Sequence, residues 1–415
     1  MCASSCTASP VGIASFDRAS SAYEAITGAG STLRRAQLLT EQCHTIKDSL
    51  LRYFAVAGCA EAILCPSGTD ALLTATLLIA AERPGQPMTV IIPSASETGT
   101  GVPLAATCSA FDGPRAGIPL VDQAVDILEV PLRSSDGEPR PADKIDAAFA
   151  AAARAARFRP IVYVTHATKT GLVAPTSLPP GVDVIVDACQ ARMEPADVAA
   201  YLRRGWPVVV TGSKFFGGPA FSGAVLFPHL RLSSLRRRPQ PAWPAYAGVA
   251  HAIERNPVAS FGTALRWIAA LAVMEAFKPL AAGMAGLLRD RAAIVHRAIG
   301  SNPALVHVSG LPPCGPGWSG LPSIFTFGVR DPGNRQRLLP AAELRPLYER
   351  LARRGILLGQ PVSLGLFGGL RIAVGARDLV EGSSNTTLLR VFDAIEEATA
   401  PDASRFGHKG RSTWH

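Results

Sequence analysis

The chain has 415 residues, 48% of them hydrophobic and 18% charged, with a formal net charge of +9. That length allows two domains with a sizeable core, and the composition excludes an intrinsically disordered chain. Arginine and acid are interspersed, and the densest basic run, Arg236-Arg237-Arg238, reads as a solvated loop, so the charge favours a phosphorylated or carboxylated small ligand over nucleic acid.

In chain order, MCASSCTASPVG lacks a basic n-region and a continuous apolar core, so no signal peptide is expected. Residues 1–36 are rich in Ser, Gly and small side chains and are expected to form an irregular N-terminal arm. From about residue 37 to 285, short apolar runs alternate with helical patterns. Strands are expected at Ala62–Cys65, Thr89–Pro93, Asp126–Pro131, Pro160–His166, Val182–Ala188, Pro207–Thr211 and Gly223–Pro228. Helices are expected between them at Asp70–Glu82, Ala142–Ala156 and Pro195–Arg204. This alternation predicts an α/β domain built on a mostly parallel seven-stranded sheet with helices on both faces. The apolar stretch Ala264–Leu288 carries Arg266, Glu275 and Lys278, so it reads as a buried helix and not a membrane span. Residues 286–400 read as a smaller C-terminal α+β domain, with helices at Gly286–Gly300 and Ala341–Arg354 and strands at Ser323–Val329 and Leu370–Val374; a frayed tail, 401–415, follows. The eight cysteines form no CxxC pair and the eight histidines do not cluster, so neither a metal site nor a disulfide framework is expected, and a reducing cytoplasm is.

In such a sheet ligands bind at the carboxyl ends of the strands, so the residues there matter most. Lys214 closes the run PVVVTGSK in a chain with few lysines; a lysine there is costly unless its charge is paired, or unless it loses its proton and bonds an aldehyde. Ser67-Gly68-Thr69 opens an apolar helix and reads either as an ordinary N-cap or as a phosphate cradle. Asp187 ends the run VDVIV, where an acid either caps the strand or pairs with a pyridinium nitrogen, and Gln190 follows within donor reach of a ring hydroxyl. His166 and Lys169 follow the strand PIVYVT; Glu97 lies in the polar loop SASETGTG, where Ser96, Glu97 and Thr98 are all open as the residue facing a ligand. Arg371, within GLRIAVG, reads as either a salt-bridge partner or a bidentate clamp for a substrate carboxylate.

Taken together and in this order, these segments resemble the fold-type I pyridoxal phosphate enzymes, in particular the class V aminotransferase and cysteine desulfurase group. The resemblance runs from about residue 37 to about 380. SGTDA (Ser67–Ala71) is similar to that group's SGxTEA turn, His166–Gly171 to its HxxNExG, Val186–Gln190 to its VDAAQ, and Thr211-Gly212-Ser213-Lys214 to its SxHK. The resemblance implies an aspartate aminotransferase-like fold and pyridoxal 5'-phosphate as cofactor. Lys214 would be the Schiff-base lysine and Asp187 the ring-nitrogen partner. Ser67, Gly68, Thr69, Glu97, His166, Gln190 and Thr211 would also contact the cofactor, and Arg371 and Lys169 the substrate. Phe261-Gly262-Thr263 resembles the GT segment whose threonine reaches a neighbouring subunit's phosphate, which implies a homodimer with shared active sites. An amino acid substrate follows, with proton removal at Cα and an aminotransferase as the first reading. A lyase, a β- or γ-replacement enzyme or a carbon–carbon bond-forming enzyme of specialised metabolism is the alternative, and a non-catalytic binding descendant another. Lys169 stands where the group has Asn and Ser213 where it has His, and LLGQPVSLGLFGG lacks the desulfurase cysteine, so cysteine desulfurase is disfavoured. A nucleotide-dependent oxidoreductase lacks a G-x-G-x-x-G turn after the first strand.

Overall fold

A computed structural model describes residues 2–3, 5–6, 9–111, 114, 116–237, 260–308 and 317–399. The expected tail 401–415, Arg238 and Cys314 lie outside the described residues. The chain opens with a short strand β1 (Cys2–Ala3) and helices α1 (Ile13–Thr27) and α2 (Thr32–Tyr53). There follow β2 (Ala60–Cys65), α3 (Gly68–Ala81), β3 (Met88–Pro93), α4 (Val102–Ala106), β4 (Val125–Val130), α5 (Ala142–Ala155), β5 (Arg159–His166) and β6 (Val173–Ala174). Next come β7 (Asp183–Ala188), α6 (Pro195–Arg203), β8 (Val208–Thr211), β9 (Gly223–Pro228) and α7 (His229–Arg236). Helix α8 (Phe261–Phe277) runs through a 3₁₀ turn at Lys278–Gly283 into α9 (Met284–Ser301). The remainder is β10 (Leu305–Val308), β11 (Ile324–Asp331), β12 (Asn334–Leu338), α10 (Ala341–Arg353), β13 (Leu357–Leu364), β14 (Phe367–Ala373), α11 (Ala376–Val380) and α12 (Asn385–Thr399).

The seven strands expected from the apolar runs form one sheet in the order β2-β9-β8-β7-β5-β3-β4, with β6 as a short addition to β5. Its pairs are parallel except that β9 runs against both neighbours and β6 against β5. Apart from the edge strand β4, both faces are largely buried, which is why the strands read as nearly continuous apolar runs. Helix α3 covers one face, packing on Ile63, Cys65, Tyr163, Ile185 and Val209. Helices α2, α6 and α8 cover the other, over Leu64, Val164, Val186 and Val210. Side chains alternate between faces along a strand, so Thr165, Asp187 and Thr211 emerge on the α3 face at the carboxyl edge.

A second sheet has the order β1-β13-β14-β11-β10, with β12 on β11. The first residues of the chain join this C-terminal sheet through β1 and β13. The expected irregular arm is therefore corrected: α1 and the start of α2 are regular helix. Ser and Ala dominate α1, whose buried side chains are Ser15 and Ile26, and tertiary contacts fix both helices. Arg18 pairs with Glu275 of α8, the Tyr23 ring packs tilted against Phe261 with centroids 5.6 Å apart, and Ser31 caps α2 by accepting from the Arg34 amide. The α8–α9 stretch is long and apolar enough to cross a membrane by length and composition alone. It is broken at Lys278–Gly283, and Trp267, Ala270, Leu271, Met274 and Phe277 lie in the core.

Candidate active site

Lys214 sits in the turn between β8 and β9, and the turn is held from every side. A Cβ on Gly212 would lie 2.4 Å from that of Ala270 on α8, and Gly217 has φ +63°, a conformation that favours glycine. The two residues after the lysine are anchors. Phe215 stacks on Trp318 at 4.9 Å, and Phe216 packs edge-on to Tyr53 at 5.4 Å. Phe215 O accepts from the Ala376 amide at 2.8 Å, which ties the turn to the C-terminal sheet. Between these fixed points the Lys214 side chain is half-buried, and no carboxylate among the described residues pairs with it.

The N-terminus of α3 faces this turn. Ser67 caps it, its Oγ accepting from the Asp70 amide at 3.1 Å and donating to Asp70 Oδ2 at 2.5 Å. The serine thus performs the ordinary capping role, and it is the first amides of the helix, at Gly68 and Thr69, that have no intrahelical acceptor. Gly68 is required: a Cβ there would meet Cys189 Sγ at 2.7 Å and Thr211 Cγ2 at 3.0 Å. Thr69 lies against Gly101, at the end of the polar loop 94–101. Thr211 Oγ1 donates to Cys189 O at 2.7 Å. Burial, with Asp187 next to it, pushes the Cys189 thiol far above its usual range.

Asp187 is 6% exposed, and its Oδ1 accepts from the Cys189 amide at 3.0 Å. Its register partner on β5 is Thr165, whose buried hydroxyl has no partner. His166, the next residue, projects to the opposite face, where Nδ1 meets Tyr201 Oη of α6 at 3.1 Å. Burial holds its imidazole below the usual pKa, against a smaller opposing pull from Asp197. The expectation that His166 joins the cofactor contacts is corrected by this alternation. Gln190 is likewise engaged elsewhere: its Nε2 donates to Cys6 O at 3.2 Å and its Oε1 accepts from Arg192.

Glu97 has a different task from the one expected. Its carboxylate is 1% exposed and accepts from Arg133 Nε at 2.6 Å, Thr168 Oγ1 at 2.6 Å and Thr170 Oγ1 at 2.8 Å. These donors fill the carboxylate, so it organises the 94–101 loop and the 168–171 turn and does not present charge to a ligand. Of the three loop residues left open, Ser96 is exposed, and Thr98 is buried with an unpartnered hydroxyl.

Arg371 is 2% exposed. Its guanidinium donates to Gln360 O, from Nε at 3.1 Å and Nη2 at 2.7 Å, and to Lys169 O from Nη1 at 2.9 Å. No carboxylate among the described residues pairs with it. Lys169 Nζ donates to Ala95 O at 3.2 Å. Burial lowers its pKa, and the Arg371 and Lys214 charges add to that while Glu97 opposes it. Arg192, which the sequence reading passed over, is also buried. It bonds Val374 O at 2.5 Å and Ser5 Oγ at 2.9 Å, and burial lowers its pKa to about 10. Thr263 lies in the first turn of α8 with its hydroxyl on Ser260 Oγ at 3.1 Å. Among the described residues no group of three His, Cys, Asp or Glu is placed to hold a metal ion.

No family model and no curated protein sequence matches the chain. Its backbone is similar to several solved structures. The cystine C-S lyase C-DES, in complex with cysteine persulfide, aligns with a TM-score of 0.61 at 16% identity, covering 92% of this chain and 94% of that one. Oryza sativa TDC with PLP and tryptamine gives 0.55 at 15% identity, covering 94% and 83%. Sphingomonas wittichii serine palmitoyltransferase gives 0.54 at 14% identity, covering 93% and 83%. The chain therefore has the α/β fold of the fold-type I pyridoxal phosphate enzymes, with a central, mainly parallel sheet and a second, smaller one.

Proposed function

We propose that this chain is a pyridoxal 5'-phosphate enzyme acting at Cα of an amino acid. The observation that carries the reading is the convergence around Cys189 of the buried Asp187, the capped N-terminus of α3 and Lys214, which pairs with no carboxylate among the described residues. The residues suit the cofactor. The amides of Gly68 and Thr69 and the positive end of α3 suit a phosphate, the missing Cβ at Gly68 lets that helix end pack against Cys189 and Thr211, and the hydroxyls of Thr98 and Thr165 supply buried polar atoms that the protein leaves unpartnered. When bound, the cofactor supplies an electron sink for negative charge formed at Cα.

Asp187, buried beside Thr165 at the strand ends, would be the residue that holds the ring nitrogen. Arg371 has N–H groups to spare beyond its carbonyl contacts and fixes the substrate's α-carboxylate, which disfavours its loss as carbon dioxide. Lys214 would be the base that takes the Cα proton and gives it back. An aminotransferase is our first reading. A lyase is the second, favoured by the likeness to a C-S lyase over 92% of this chain. We propose further that two copies pair through a surface bearing Ile13 and Phe16, large apolar side chains left exposed one turn apart on α1.

The test is to load the protein with cofactor, add a panel of amino acids and analyse products. Keto acid together with the aminated cofactor supports the aminotransferase; keto acid and ammonia without it supports the lyase. A protein that binds amino acids equally well as Lys214→Ala and turns none over is a non-catalytic descendant of the fold.

A further inference from the structure

Beside Lys214 the C-terminal sheet turns one face toward the main sheet. Thr326 on β11 and Arg371 on β14 are register partners and share that face. Ile324 lies two residues from Thr326 on the same face, and a Cβ on Gly171 would be 3.5 Å from it, so the face is closed by the turn that carries Lys169. Arg371 Nη1 reaches across to Lys169 O at 2.9 Å. Lys169 and Arg371 are also close enough for the guanidinium to lower the lysine's pKa, and neither is paired with a carboxylate among the described residues. Glu97, the nearest acid by its effect on Lys169, is already filled by Arg133, Thr168 and Thr170. The Thr326 hydroxyl, buried at 4% exposure, has no hydrogen-bond partner.

One substrate α-carboxylate accounts for Arg371. It leaves, at the half-buried Lys169, an ammonium whose hydrogen bond among the described residues is to the Ala95 carbonyl, and an idle hydroxyl at Thr326. Keeping such groups without a ligand costs stability. We infer that Lys169, with Thr326, reads a second acidic group on the substrate, so that the site takes amino acids carrying a side-chain carboxylate. The inference rests on the proposed function and deepens it. Lys169 is the specificity residue, since its ammonium distinguishes a carboxylate from the isosteric amide.

The experiment titrates cofactor-loaded protein at low ionic strength with L-aspartate and L-glutamate, and with L-asparagine and L-glutamine as uncharged matches. The readout is the shift of the cofactor's visible band, independent of turnover. At least one acid is expected to bind about tenfold or more tightly than its amide, the ratio appropriate to one charge-assisted hydrogen bond. Lys169→Met is expected to collapse that ratio toward one and Lys169→Arg to retain part of it, while Thr326→Val lowers acid affinity severalfold. Equal affinity for acid and amide in the wild-type protein overturns the inference whether or not any variant folds, as does a ratio that survives Lys169→Met. A visible band that no acidic amino acid shifts sinks the inference alone; a protein that forms no band with the cofactor sinks the proposed function with it.

Discussion

Glu97→Ala tests whether the loop acid is a structural anchor or a ligand contact. Its carboxylate is 1% exposed and bonds Arg133 Nε at 2.6 Å, Thr168 Oγ1 at 2.6 Å and Thr170 Oγ1 at 2.8 Å. Removing it strips a buried guanidinium of its carboxylate and frees two buried hydroxyls. Breaking a buried pair from one side costs roughly 3–5 kcal/mol, whereas removing both charges costs much less. The assay is the urea midpoint of cofactor-free protein for Glu97→Ala, Arg133→Met and the double variant. Both single variants are expected to lower the midpoint strongly, and the double variant to lower it by clearly less than their sum. An unchanged midpoint in Glu97→Ala, with a displaced visible band in the loaded protein, would refute the reasoning and return Glu97 to the cofactor.

Gly68→Ala places a Cβ 2.7 Å from Cys189 Sγ; cofactor affinity, measured by fluorescence titration, is expected to fall about tenfold or more, ~1.4 kcal/mol, and Cys189→Ala in the same chain to restore part of it. Thr165→Val replaces a buried hydroxyl that has no partner, so the melting temperature of the cofactor-free protein is expected to hold or rise while cofactor affinity drops; a clear loss of cofactor-free stability would contradict this. His166 is held neutral by burial. Its folded pKa lies below its unfolded value, so the unfolded chain binds the extra proton and stability falls as pH drops below about 6.5. Melting curves for His166→Gln are expected to lose that component of the acid sensitivity, and an identical pH profile would count against it.

The seven main strands were legible because a strand buried on both faces must be apolar along its length, and each run from Ala62–Cys65 to Gly223–Pro228 is bounded by turn residues. Helix α1 was not legible, because Ser and Ala dominate its sequence and its packing on α8 is a tertiary fact. Strand β13 was missed for a local reason: Gly359 and Pro361 interrupt LLGQPVSL, yet a Cβ on Gly359 would lie 2.5 Å from Cys6 Sγ, so the glycine is what lets the N-terminal segment approach. At the site, the sequence singled out Lys214, Asp187 and Arg371 as strand-end residues. It misjudged His166 by one residue: alternation along YVTH puts Thr165, not His166, on the face of Asp187. Arg192 and Thr326 carried no motif, and only the packing of the second sheet on the first brings them to the site.

The central claim is that Lys214 carries the cofactor. Its most direct test is borohydride reduction of the protein loaded with pyridoxal 5'-phosphate, followed by proteolysis and mass mapping of the modified lysine. The account predicts the reduced adduct on the peptide containing Lys214 and its loss in Lys214→Ala, although that variant still folds. An adduct spread over Lys47, Lys144 and Lys278, or confined to Lys169, would contradict it.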